Sequence, residues 1–146
     1  MTRFFAYLYE WFGLFPIYSQ DLGTFLRGWD YACVGYFALP WYRYVGLLMI
    51  IVTGLIFMLQ YDLISGTRFK KREHWELAAL AVFIVNFLIA FTVPIVAIMK
   101  GMHCPLLKLS LADCVFFGLS NGIWSVIFFS LLSIIHGVRM RFVTAE

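Results

Sequence analysis

The residues of this chain that are equipped for chemistry are few and far apart. His103 stands beside Cys104, and Cys33 and Cys114 complete the thiols. Zinc wants about four such ligands in paired spacings; two cysteines and one histidine without a regular pair spacing are weak evidence for it, so no metal site is expected. In an oxidising compartment the thiols can instead form one disulfide, Cys33–Cys104 or Cys104–Cys114. Otherwise they serve as small buried hydrophobes. Haem would need axial histidines inside apolar segments, but His74 and His103 fall in or beside connecting segments. The Ser, His and Asp residues cannot be gathered at one depth. An acidic pair for acid–base work and a phosphate-binding glycine loop are both missing. These observations predict no catalytic residues, no cofactor and no enzymatic activity.

The polar residues that do stand out lie inside apolar runs. Cys114, Gly118, Asn121, Gly122, Ser125, Ser133 and His136 fall within a sector about 120° wide on a helical projection. Phe116, Ile123, Trp124, Ile127, Leu131 and Ile134 occupy the opposite sector. Gly118 and Gly122 form a small-xxx-small pair, which lets two helix backbones approach closely. Asn121 and Ser125 can hydrogen-bond across such a contact. Ala79, Asn86, Ala90 and Ala97 share a second face, and Gly46, Thr53 and Gln60 a third. An amide surrounded by hydrocarbon needs a partner, so Asn86 is expected to face protein. His136 sits near the end of its apolar run, where a cation is favoured by the helix dipole; headgroup contact, carbonyl capping and pH sensing are its other uses.

These side chains must be positioned by membrane-spanning helices. Of the 146 residues 63% are hydrophobic and only 13% charged, against about 25% charged in soluble domains. Crossing a hydrocarbon core of about 30 Å takes about 20 apolar residues in helix, and helix is the open-chain structure that satisfies its own backbone in lipid. Three segments qualify: 44–61, 75–99 and 112–138. Pro94 is expected to kink the second. The fold class is therefore an all-α integral membrane protein, organised as an N-terminal segment (1–43), a three-helix domain (44–138) and a basic tail (139–146).

The N-terminal segment is aromatic and too polar or too short to span. On a helix, Phe4, Phe5, Leu8, Trp11, Phe12 and Phe15 share one face, with Arg3, Tyr7 and Glu10 opposite. That pattern fits a helix lying in the membrane interface, ended by Pro16. Residues 31–40 read as a short re-entrant or interfacial stretch, flanked by the belt aromatics Trp29, Tyr31, Tyr36, Trp41, Tyr42 and Tyr44. The alternative is a fourth span over residues 4–19, which would bury Glu10 at a cost. No small-x-small cleavage site follows, so the segment is expected to be retained.

Charge sets the orientation. Arg68, Lys70, Lys71 and Arg72 follow the first span, and Arg139 and Arg141 follow the third. Basic segments stay cytoplasmic, so these two are expected inside and the loop holding Lys100 and Lys108 outside, in a bacterial inner membrane. Beside a span, the basic cluster is expected to touch anionic lipid rather than nucleic acid.

The functional expectation joins these points. A single three-span chain is too small to enclose a lumen, so a polar α-helical face that joins subunits or lines an aqueous path calls for a closed homo-oligomer. The favoured expectation is a homo-oligomer that forms or gates a membrane pore, with the aromatic N-terminal segment as collar or gate. The alternative is a non-catalytic anchor or assembly subunit of a larger membrane complex. Expected partners are membrane lipids, further copies of the chain and other membrane subunits.

Overall fold

The computed structural model describes residues 2–11, 17–60 and 72–143. Phe12, Phe15 and Pro16, the end of the first expected span at Tyr61, and Arg68, Lys70 and Lys71 lie outside the described residues. Among the described residues five helices follow in order: α1 (Thr2–Tyr9), α2 (Gln20–Leu26), α3 (Trp41–Met58), α4 (Arg72–Met99) and α5 (Leu111–Val143). Among the described residues there is no strand. Three of the described stretches are long and apolar enough to cross a membrane: Trp41–Met58, Trp75–Met99 and Leu111–His136.

The helix ends differ from the expected ones by a few residues at several places, α4 for instance beginning at Arg72 rather than 75. α3 begins at Trp41, directly after Pro40, rather than at 44. α5 continues through Arg139 and Arg141 to Val143, so the basic tail starts inside a helix. At 33 residues α5 is about 50 Å long, and its last turns must project beyond a core of about 30 Å. Pro94 lies inside α4 and is buried.

α4 and α5 are antiparallel neighbours, and their contacts advance in opposite directions at equal pace: Trp75 with Ser133, Val82 with Ser125, Asn86 with Asn121. Arg72, Arg139 and Arg141 therefore belong to the same end of the bundle. α3 packs into the groove between α4 and α5. At the opposite end α4 stops in a Schellman motif. Gly101 adopts φ +62, Met102 N–H bonds Ala97 O at 2.9 Å and Gly101 N–H bonds Ile98 O at 3.2 Å, which satisfies the last carbonyls. α5 starts with a reciprocal cap, in which Asp113 N–H bonds Ser110 Oγ at 3.1 Å and Ser110 Oγ–H bonds Asp113 Oδ2 at 2.7 Å.

The N-terminal segment is folded onto this second end rather than spread beside it. α1 buries Phe5, Ala6 and Tyr9 against α3 and α5. Its buried face is thus rotated from the expected one: Phe4 is exposed, while Tyr7 and Arg3 point outward. The rotation follows from a local fit, because the Phe5 ring lies directly over Gly46, where an added Cβ would collide with it. α2 is capped by Ser19, whose Oγ accepts from Leu22 N–H at 3.3 Å. Residues 31–40 form turns that expose Tyr31, Val34, Tyr36, Phe37 and Leu39. This loop is pinned by Gly28 at φ +97, which places its Cα against the Ala38 carbonyl. A Cβ there would sit 2.6 Å from that oxygen. Cys33 and Cys104 are joined in a disulfide, Cα–Cα 5.3 Å; Cys114 is free and buried.

Candidate functional site

The small and polar face of α5 is covered within the chain. Gly118 and Gly122 lie against the rings of Phe87 and Phe83 on α4, where added Cβ atoms would approach to 3.0 and 2.8 Å. Asn121 and Ser125 are fully buried. Asn121 Nδ2 donates to Asn86 O at 2.7 Å, and Ser125 Oγ donates to Gly122 O at 2.7 Å with Val82 O nearby. Asn86 in turn donates to Thr53 Oγ1 on α3 at 3.3 Å and to Val82 O at 3.0 Å. Its Oδ1 has no partner among the described residues. Ser133 accepts from Trp75 Nε1 at 3.2 Å, and His136 lies edge-on to Phe57. No polar face of α5 is left free over residues 118–125 to line a space outside the bundle.

What closes this face at its upper end is α1. Tyr9 is wholly buried and donates its hydroxyl to Asn121 Oδ1 at 2.5 Å. Asn121 lies about 15 Å along α5 from Leu111, so the tip of α1 reaches well below the bundle end. Trp11 follows at φ 49, donates Nε1–H to Ser120 Oγ at 3.1 Å and packs on Trp124. The Tyr9 ring stacks on Tyr42 at 5.8 Å and meets Phe117 edge-on at 5.4 Å. α1 therefore enters the bundle as an aromatic wedge with one polar tip.

Above the wedge a second set of polar groups reaches the surface. Tyr42 donates to Glu10 Oε1 at 3.3 Å, which leaves Tyr18 as donor in the 2.7 Å Tyr18–Tyr42 contact. Arg27 pairs with Glu10 at 2.5 Å, with both side chains partly exposed, so the pair is a surface contact of small worth. Burial, reinforced by the neighbouring Tyr18, pushes the Tyr9 phenol well above its ordinary pKa. Burial does the same for Tyr18, partly offset by the Tyr42 hydroxyl. Arg27 is partly desolvated, but Glu10 outweighs this and raises its pKa. Ser19 completes the attachment by donating N–H and Oγ–H to Asp113, both at 2.9 Å, and Asp21 accepts from Lys108 N–H at 3.1 Å.

The polar groups thus run from Arg27 and Glu10 through Tyr42, Tyr9 and Asn121 to Asn86 and Thr53. Beyond Ser125 an apolar septum of Ala79, Val82 and Phe129, packed by Phe57 and Trp75, separates them from Ser133 and the other end. The arrangement thus divides the bundle into a sealed polar half and an apolar half. Glu10, Tyr9, Tyr42 and Ser120 are parts of the site that spacing on the three spans did not identify. The only hint was the polar interruption by Glu10 in an aromatic run. Arg72, Arg139 and Arg141 lie on α4 and α5 at the far end, remote from this site. No protein-family model, no curated protein and no solved structure matches the chain.

Proposed function

We propose that the protein is a non-catalytic, homo-oligomeric membrane protein that conditionally opens a passage, with α1 as the gate. The observation that carries this reading is the position of Tyr9: a hydroxyl on a helix of only eight residues is inserted at mid-depth beside Asn121. A helix of eight residues can detach while α3, α4 and α5 stay packed, so its release is a large rearrangement of moderate cost. Withdrawal of α1 would uncover Ser120, Asn121 and the Asn86–Thr53 pair, converting a sealed polar string into a wettable vestibule. The Val82–Phe129 septum would then be the remaining barrier, of the dewetting kind that gates many pores. Several copies are required because three spans cannot surround a lumen. The basic residues at the start of α4 and the end of α5 favour a cytoplasmic side for that end in a bacterial inner membrane, by the positive-inside rule. Neither metal nor cofactor enters this mechanism.

The test is ion and small-dye flux from proteoliposomes, with native mass spectrometry for subunit number. Removing residues 1–11, or Tyr9→Ala, is expected to raise flux at least tenfold over wild type. A monomer with no flux from either variant would refute the proposal. That outcome would favour the second reading, a membrane anchor or assembly subunit. Its supporting feature is the aliphatic outer surface of the spans, with Leu48, Ile51 and Leu55 on α3 and Ile127, Leu131 and Ile134 on α5 exposed. Stoichiometric co-purification of another membrane protein from the host is its positive test.

A further inference from the structure

A cavity of about 650 Å³ lies at the Lys100 end of the bundle, separate from the α1 wedge. That volume is in the range of small-molecule sites. One wall is the last turns of α4, from Thr92 to Lys100; the other is built by Phe25, Trp29 and Trp41. Thr92 and Lys100 are eight positions apart, so the cavity runs about 12 Å along the helix. Its lower part lies within the apolar stretch Trp75–Met99, and Lys100 lines its upper part. Trp29 and Trp41 stand where aromatic rings mark the headgroup level.

Among the described residues no carboxylate lines the cavity and Lys100 makes no ion pair. Nor is the ammonium needed for capping, since Gly101 and Met102 already satisfy the end of α4. The two walls are also clamped together. Trp29, Tyr31 and Leu39 flank Cys33 in sequence, Lys100 and Met102 precede Cys104, and the Cys33–Cys104 disulfide joins the two segments.

We infer that this cavity binds an anionic phospholipid from the adjacent leaflet, its phosphate against Lys100 and one acyl chain along Val93 toward Thr92. An apolar slot about 12 Å deep beneath a single cation matches an amphiphile with one negative head, and its depth in the span selects a lipid over a soluble anion. The inference does not depend on the gating proposal.

Bromine-labelled lipids test it in a Trp11→Phe/Trp75→Phe/Trp124→Phe background, where Trp29 and Trp41 alone report contact by fluorescence quenching. The full chain is reconstituted in phosphatidylcholine with a minor fraction of brominated phosphatidylglycerol or brominated phosphatidylcholine. Brominated phosphatidylglycerol is expected to quench about fivefold more strongly than its mole fraction dictates, the value of one lysine near a lipid phosphate. Brominated phosphatidylcholine is expected to follow its mole fraction, and inorganic phosphate is expected not to compete. Lys100→Gln should abolish the preference, and so should Thr92→Phe, which fills the slot and keeps the charge. If the preference is absent in wild type, or survives Thr92→Phe, the cavity is not the site and the inference falls. Displacement by millimolar inorganic phosphate would equally overturn it in favour of a soluble anion.

Discussion

Replacing Tyr9 with Phe removes one oxygen and nothing else from the α1 wedge. The ring contacts with Tyr42 at 5.8 Å and Phe117 at 5.4 Å survive the change, so the cost is that of the hydroxyl. Asn121 Oδ1 loses its donor in a place that water does not reach. Interhelical hydrogen bonds within membranes are worth about 0.6 kcal/mol on average and up to about 2. A buried acceptor left unpaired costs about 1–3 kcal/mol. The two ranges overlap near about 1.4 kcal/mol, a tenfold change in the population with α1 detached. The assay is maleimide labelling of an Ala6→Cys reporter in a Cys114→Ala background. Ala6 is buried on α1 and the remaining cysteines are disulfide-bonded, so labelling requires detachment. Tyr9→Phe is expected to speed labelling about tenfold. In an Asn121→Ala background the same substitution is expected to change it less than twofold, because the partner is already gone. An unchanged rate in the single variant, or equal effects in both backgrounds, would show that the hydroxyl does not hold α1 in place.

The α4–α5 contact makes a second prediction. Gly118→Leu and Gly122→Leu should each lower thermal stability in detergent by about 1–3 kcal/mol through overpacking, since Phe87 and Phe83 already occupy the space. Gly54→Leu should be neutral, having nothing within 4 Å; equal losses at all three positions would contradict the packing argument. A third prediction concerns pH. Tyr9 and Tyr18 hold their protons more tightly in the fold than in an unfolded chain, where a phenol ionises near pH 10. Their contribution is therefore fully present below about pH 10 and lost above it, at about 1.4 kcal/mol per pH unit for each tyrosine. Denaturation midpoints measured from pH 9 to 12 should fall, and the Tyr9→Phe/Tyr18→Phe double variant should fall less steeply; identical slopes would refute the assignment.

The sequence by itself determined that this is a helical membrane protein and which side of each span turns inward. Runs such as Trp75–Met99 leave no other conformation that satisfies the backbone in lipid. Within such a run the inward side is marked by residues that lipid tolerates badly or that permit close approach. On α4 the buried set includes Ala79, Asn86, Ala90 and Ala97; on α5 it includes Cys114, Gly118, Asn121, Gly122 and Ser125. Trp124 lies partly covered on the outward side because Trp11, distant in sequence, packs on it. Only tertiary structure decided what covers the α5 face. Periodicity reports that a face needs a partner, but not whether the partner is another subunit, water or the chain's own first residues. Nor could it orient α1, whose buried side depends on Phe5 meeting Gly46 and Tyr9 meeting Asn121, contacts spanning 41 and 112 positions. In eight residues that carry the aromatics Phe4, Phe5, Tyr7 and Tyr9, hydrophobic pattern does not decide which of these rings turns inward, and the choice passes to the shape and the hydrogen-bond acceptor of the surface that receives them.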